Sequence, residues 1–301
     1  MIAPAPEAEQ VCALIVTYHP DDSFPLRFRR IAVQVGAVVI VDNGSNDAAV
    51  SMLKDLAANC GAKLIQNQCN LGVAAALNQG VQTAQQKGYP WVISFDQDSC
   101  VAADMLHELA SIFAEIPDNG SVAVLGSNSK DPKTGISFLR RIPATAEGYL
   151  LQTTVITSGS LMPVSLIQRL GGFRSDFFID HVDHEFCLKA RRHGYRVYSS
   201  VKVLMDHSIG SYQLHSLFGM KILCLNHSAL RWYYIVRNFM VLVLDYSVRE
   251  PLWLTKTLLY FAAFLVGACL YEQDRTIKLR HVRAGVIDGW RGRMGEKRQS
   301  T

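Results

Sequence analysis

Four short apolar runs in the first third of the chain, at 11–18, 37–41, 63–67 and 91–95, each break off into polar residues at their carboxyl end. Runs of this length, rich in aliphatic, β-branched and aromatic residues, read as buried strands. Helical stretches separate them, a weak one ending near Val35 and clearer ones at 48–60 and 73–87. Strand, helix and strand in alternation describe a parallel sheet covered on both faces, which makes the fold class α/β. Right-handed crossovers put every carboxyl end on one edge, where open α/β sheets bind ligands. Thr17, Asp42, Asn70, Asp96 and Asp98 all fall on that edge. No G-x-G-x-x-G follows the first strand and no G-x-x-x-x-G-K-[ST] occurs, which argues against a dinucleotide dehydrogenase and a P-loop NTPase.

The fourth run carries the chemistry: Val92-Ile93-Ser94-Phe95 leads into Asp96-Gln97-Asp98-Ser99. Residues i and i+2 of an extended segment point the same way, so the two carboxylates address one point. Two hard oxygen ligands suit Mg²⁺ or Mn²⁺, ions that bind one or two carboxylates together with substrate phosphates. The competing explanation is a polar turn in which Asp98 or Ser99 caps the helix beginning near Ala102.

Composition narrows the classes further. A net charge of +4 over 301 residues is too mild and too scattered for a nucleic-acid binder. The seven cysteines are odd in number and lack C-x-x-C spacing, so neither a disulfide framework nor a thiolate zinc site is indicated, and a reducing compartment is expected. Residues 1–10 lack a basic segment followed by an apolar one, so the expected location is the cytoplasm or the membrane surface facing it.

The second half is less regular. Strands are expected at 121–126, 195–198 and 201–205, a strand and turn at 153–162, and a short helix at 165–170 closed by Gly171-Gly172. A second polar cluster, Phe177-Phe178-Ile179-Asp180-His181-Val182-Asp183-His184-Glu185, opens a helix running to Arg192, and Asp206-His207 ends the last strand. Zinc at His181 and His184 is disfavoured, because the three or four organised ligands it needs are not in view.

Taken in order, Leu14-Ile15-Val16-Thr17-Tyr18, Val41-Asp42-Asn43-Gly44-Ser45, Asn70-Leu71-Gly72, Asp96-Gln97-Asp98, the Asp180–Glu185 cluster and Asp206-His207 resemble the inverting family 2 glycosyltransferases of GT-A fold. Ile179-Asp180-His181-Val182-Asp183 and Arg231-Trp232-Tyr233-Tyr234-Ile235-Val236-Arg237-Asn238 are most similar to bacterial rhamnosyltransferases that use dTDP-L-rhamnose. The likeness spans roughly 11–245. It implies a Rossmann-like, mostly parallel sheet with flanking helices and a metal-dependent transfer of L-rhamnose to a hydroxyl of a cell-surface glycan or glycolipid, such as O-antigen.

The resemblance also implies roles. Asp42, with Thr17 beside it, would accept from the N3–H of the base, a role the strand edge itself permits. Asn70 and Gly72 open a helix whose free N–H groups sit near the nucleotide, although Asn70 as an ordinary cap explains the sequence equally well. Asp98 and His207 would be metal ligands, and Asp96 would contact either ribose or metal. An isolated histidine is more often a core or turn residue; motif order favours the ligand here. Asp183 is the expected base, since a carboxylate is ionised at neutral pH and a helix N-terminus keeps it so. Val182 replaces the first acid of the family's acid pair, which leaves Asp180 as competitor. Glu185 is assigned to the helix start. His181 is read as lining the site, Ser158 as bordering the acceptor pocket by resemblance, and Trp232 as an acceptor contact against the commoner alternative of an aromatic helix packed on the sheet.

The expected organisation is a leader at 1–10, a catalytic domain at 11–215 whose nucleotide-binding half is 11–100 and acceptor-side half 101–215, and a helical extension at 216–301. Within the extension, the uncharged run 257–271 falls short of the roughly 18–20 residues that span a bilayer, unless 251–256 with Lys256 is added. Three readings fit it: a membrane-dipping helix, an interfacial anchor aided by basic residues from Lys278 to Arg298, or a buried helix of a homo-oligomer. Peripheral attachment at the cytoplasmic face of the inner membrane, where lipid-linked glycan acceptors are built, is the expectation. Two rivals remain: the same fold with UDP-galactofuranose or UDP-glucose as donor, and a non-catalytic nucleotide-sugar sensor or membrane scaffold.

Overall fold

The computed structural model describes residues 4–139, 142–143, 146–208, 212–217 and 220–297. They form two compact units: one runs up to Ser175 and resumes over Val182–Ser208, and the other comprises Asp176–His181 and the chain from Ile209 onward. The first three residues of the expected leader and Arg298 of the basic tail lie outside the described residues.

The first unit begins with β1 (Val11–Thr17), α1 (Phe24–Ala32), β2 (Ala37–Asp42), α2 (Asp47–Cys60), β3 (Lys63–Gln66), α3 (Val73–Gln86) and β4 (Trp91–Asp96). Its four strands are parallel, with Thr17 opposite Asp42, Asp42 opposite Gln66 and Val16 opposite Asp96, so their carboxyl ends line up as the alternation requires. The period of two sorts β1 between the faces. Ala13 and Ile15 join a core with Phe24, Phe28 and Ile31 of α1. Leu14 faces the other way toward α3, where a Cβ on Gly80 would come within 3.1 Å of it.

Past β4 the sheet becomes mixed. After β5 (Cys100–Val101) and α4 (Met105–Glu115) come β6 (Val122–Lys130), β7 (Tyr149–Gln152), β8 (Ser160–Pro163), α5 (Val164–Arg169), α6 (Val182–Arg192) and β9 (Arg196–Asp206). The order across the sheet is β3-β2-β1-β4-β8-β6-β9-β5, with β7 also on β9. β8 runs antiparallel to β4 and β6, and β5 and β7 run antiparallel to β9.

Two expectations for this half need correction. The runs at 195–198 and 201–205 are one strand, because Ser199 and Ser200, which look like a break, are buried and pair with β6 and β7. Of the strand and turn at 153–162, only Ser160 onward pairs. The residues before it pack as an irregular segment: a Cβ on Gly126 would meet Val155 at 2.9 Å.

The second unit contains a hairpin, β10 (Gln213–Leu217) and β11 (Met220–Cys224), and three helices, α7 (Ala229–Tyr246), α8 (Pro251–Tyr271) and α9 (Arg275–Trp290). Trp232 and Val236 of α7, Ala268 of α8 and the flanking Phe261, Phe264 and Val282 form its apolar centre. Contact between α7 and α9 depends on missing side chains. A Cβ on Gly285 would fall 2.7 Å from the Tyr233 carbonyl, and one on Gly289 would fall 2.6 Å from that of Arg237. Gly285→Val therefore forces the helices apart, with an expected cost of about 1–3 kcal/mol. Thermal unfolding measures it, and an unchanged Tm would show that the approach is looser than drawn.

Candidate active site

The site begins where β4 runs out. Asp96 ends the strand, Gln97 and Asp98 turn the chain, and β5 pairs antiparallel with the end of β9, Cys100 opposite Asp206. That pairing delivers the next residue, His207, to the two carboxylates. Its Nε2 lies 3.8 Å from Asp96 Oδ2 and its Nδ1 lies 3.6 Å from Asp98 Oδ1. One ligand atom from each of the three fits within 4.8 Å of the others. Two hard carboxylate oxygens and one imidazole nitrogen, close enough to address a single point and half open to solvent, fit a divalent cation whose remaining positions are left for other oxygen ligands.

The turn is held from below and from the side. The Asp96 N–H donates to Ser158 Oγ at 3.2 Å, and Ser158 Oγ and Ser99 Oγ are 2.5 Å apart. Both serines are buried, and Ser99 Oγ stands 3.5 Å from His207 Nδ1. Ser158, expected at the border of the acceptor pocket, thus lies beneath the carboxylate turn. Its segment is tied to β4, with Gly159 N–H donating to the Ser94 carbonyl at 2.7 Å and Ser94 Oγ to the Thr157 carbonyl at 2.6 Å. Gln97 clasps the neighbouring loop: its Oε1 accepts from Tyr18 N–H at 2.8 Å and its Nε2 donates to the Tyr18 carbonyl at 3.1 Å. Arg27 Nε donates to the Gln97 carbonyl at 2.8 Å. Sequence reading missed Gln97, Ser99 and Arg27. For Gln97 strand alternation gave no signal, since the chain leaves the strand at Asp96 and turns through Gln97 and Asp98.

Along the rest of the edge the polar residues hold one another. Asp42 and Thr17 are fully buried, and Asp42 Oδ1 accepts from Thr17 Oγ1 at 3.0 Å and from the Ser45 hydroxyl. Asp42 Oδ2 accepts from Ser45 N–H at 3.0 Å. Asn70 Oδ1 accepts from Gly72 N–H at 2.9 Å and Asn43 Nδ2 at 3.0 Å, so it ties the loop before α3 to the loop after β2. Gly72 caps α3 at φ 86°, which only glycine adopts without strain.

Asp183 stands half-buried in the first turn of α6, its Oδ1 accepting from His184 N–H at 2.8 Å. Glu185, in the same first turn, is buried and paired with Lys189 at 3.1 Å. Asp180 and His181 belong to the second unit, where Arg231 Nη2 donates to Asp180 Oδ1 at 3.0 Å. Trp232, expected as an acceptor contact, is only 2% exposed and packs edge-on against Phe261 at 6.0 Å, so no sugar reaches it. The aromatic packing weighed against that role accounts for it, within the helical unit rather than on the sheet.

Residues 14–169 match the sequence profile of glycosyl transferase family 2, more than half of the chain. The chain belongs to that family. It is a glycosyltransferase, and the mixed sheet with helices on both faces is its GT-A core. Over 299 residues it is 28% identical to the dTDP-rhamnosyl transferase RfbF of Shigella flexneri, covering 95% of this chain and 97% of that one. Among solved structures it resembles the mannosyltransferase PcManGT of Pyrobaculum calidifontis, determined with GDP-Man and Mn²⁺, with a TM-score of 0.59 at 18% identity over 93% of this chain and 87% of the other. It also resembles Staphylococcus aureus TarS 1–349, with a TM-score of 0.55 at 16% identity over 93% and 80%.

Asp98→Ala is expected to abolish saturable Mn²⁺ binding in calorimetric titration of the glycosyltransferase. Titration at the wild-type affinity would remove Asp98 from the cation's ligand set.

Proposed function

We propose that this glycosyltransferase moves L-rhamnose from dTDP-L-rhamnose to a hydroxyl of a glycan or lipid-linked acceptor, with inversion at the anomeric carbon. The observation that carries the donor assignment is the end-to-end likeness to a dTDP-rhamnosyl transferase, which extends through the second unit rather than stopping at the nucleotide-binding half. Asp96, Asp98 and His207 would hold Mg²⁺ or Mn²⁺, and such a cation would offset the negative charge that develops on the departing diphosphate. The loops after β1, β2 and β3, tied together through Asp42, Asn43 and Asn70, form the nucleotide-facing edge, and Gly72 lets the backbone at the start of α3 approach it closely.

Asp183 takes the proton of the acceptor hydroxyl as that oxygen attacks the anomeric carbon and the bond to the diphosphate breaks. A single displacement needs no covalent intermediate with the enzyme, and inverts the β-linked donor to an α-L-rhamnoside. Asp183→Asn is expected to lower transfer to an alkyl glycoside acceptor at least a thousandfold, while thermal stabilisation by dTDP-L-rhamnose with Mn²⁺ persists. Full turnover would move the base elsewhere. Stronger stabilisation by UDP-galactofuranose or UDP-glucose than by dTDP-L-rhamnose would replace the donor, and no stabilisation by any of them would remove the nucleotide-sugar reading.

The same reading places the enzyme in the cytoplasm, peripherally on the inner-membrane face. Among the described residues α8 is the one helix long and apolar enough to cross a membrane. Leu252, Leu259 and Val266, seven residues apart, make an exposed stripe along it, with Leu259 68% exposed. α9 adds the exposed cations Arg275, Arg280 and Arg283 and the exposed Trp290, a combination that favours an anionic lipid surface over a partner protein. The enzyme should co-sediment with vesicles containing phosphatidylglycerol, less at high salt, and Leu259→Glu should release it. Concentration-dependent dimerisation without vesicle binding would assign the stripe to a second copy instead.

A further inference from the structure

The turn Asp176–His181 has a backbone that its sequence does not favour. Phe178, Asp180 and His181, none of them glycine, sit at φ 65°, 63° and 61°. Left-handed backbone at three of four consecutive non-glycine residues persists only where the surroundings over-determine it, and such strain concentrates at functional sites.

The surroundings here are Arg237 and Asn238 of α7. Asn238, fully buried, donates through Nδ2 to the carbonyls of Phe177, Ile179 and Asp180 at 2.9, 2.8 and 2.9 Å. Arg237, 1% exposed, fixes that amide by donating to Asn238 Oδ1 from Nε at 3.0 Å and Nη2 at 2.9 Å. Its Nη2 also donates to the carbonyls of Asp176 and Phe177 at 3.1 and 3.0 Å. Nη1 reaches the Gly295 carbonyl, and Gly295 N–H returns to the Asp176 carbonyl at 2.7 Å, so the end of the chain straps the same turn. Phe178 stacks on Tyr234 at 5.1 Å, and Arg231, 46% exposed, grips the Asp180 carboxylate. Burying a guanidinium to satisfy a turn's carbonyls is a costly way to hold a connection that serves only to join two elements. The next residue, Val182, opens the helix whose first turn carries Asp183.

We propose that Arg237 and Asn238, with Arg231 beside them, are positioning residues for transfer. They lock the left-handed turn, and so fix the direction of the Asp180 carboxylate and the conformation of the peptides that lead along the chain into Val182 and Asp183. The inference rests on the reading of Asp183 as the base. It gives α7 a part in transfer although none of the three residues acts on the reacting atoms.

The test uses the full chain with dTDP-L-rhamnose, Mn²⁺ and an alkyl glycoside acceptor, varying donor and acceptor separately for Asn238→Asp, Arg231→Ala, Arg231→Lys and Asp183→Asn. Asn238→Asp keeps the side-chain shape but sets an acceptor against three carbonyls. We expect its kcat to fall at least tenfold with the donor KM within twofold and dTDP stabilisation retained. Arg231→Ala should lose kcat severalfold, and Arg231→Lys should recover part of it. Should Asn238→Asp fail to fold, the exposed Arg231 pair decides the matter. Wild-type kcat in Asn238→Asp, or in both Arg231 variants, alongside a dead Asp183→Asn enzyme would reduce the turn to a structural connection and overturn the proposal. Turnover in Asp183→Asn, or none in the wild type, would instead sink the underlying reading and this inference with it.

Discussion

The pairing of Cys100 with Asp206 is the constraint on which the geometry of the Asp96, Asp98 and His207 cluster depends. The carboxylates of Asp96 and Asp98 are local to one turn, but the imidazole comes from the far end of the unit. A two-residue strand, β5, is what brings them together. Without it His207 would be one more histidine after a strand. Strand pairing fixes direction and register at once, so a very short strand suffices to set the imidazole's position.

Legibility in the sequence follows how local each determinant is. The strands β1 to β4 were legible because each is a continuous apolar run and the helices between them carry their own periodicity. Their shared edge, with Thr17, Asp42, Asn70, Asp96 and Asp98 on it, followed from handedness alone. The mixed half was not, because β5 is too short to show a pattern and β9 conceals two buried serines inside a strand. Trp232 and Ser158 have side-chain chemistry that suits a site, and only tertiary packing shows that one lies in an apolar centre and the other beneath the turn. The left-handed turn before α6 had no signal, since none of its three strained residues is glycine.

The second unit is built on a different economy of side chains. Its α7 and α9 meet through glycines and leave large apolar residues outside, whereas the first unit puts its large residues in and its polar residues at a strand edge. Helices that approach through small residues pack by backbone contact, a style that serves equally in water and in lipid. Family membership is written in the first unit alone, since the matched profile ends at residue 169. The likeness to a dTDP-rhamnosyl transferase runs through both.

Gln97 has a further consequence. Because its amide pairs with both the N–H and the carbonyl of Tyr18, and Arg27 holds its own carbonyl, the D-x-D turn has little conformational freedom left to lose. The entropy of ordering two like charges side by side is therefore charged to folding, when the sheet forms, and not to the arrival of a ligand. A turn frozen in advance loses adaptability in return, so this edge is suited to one ligand geometry more than to accommodating several.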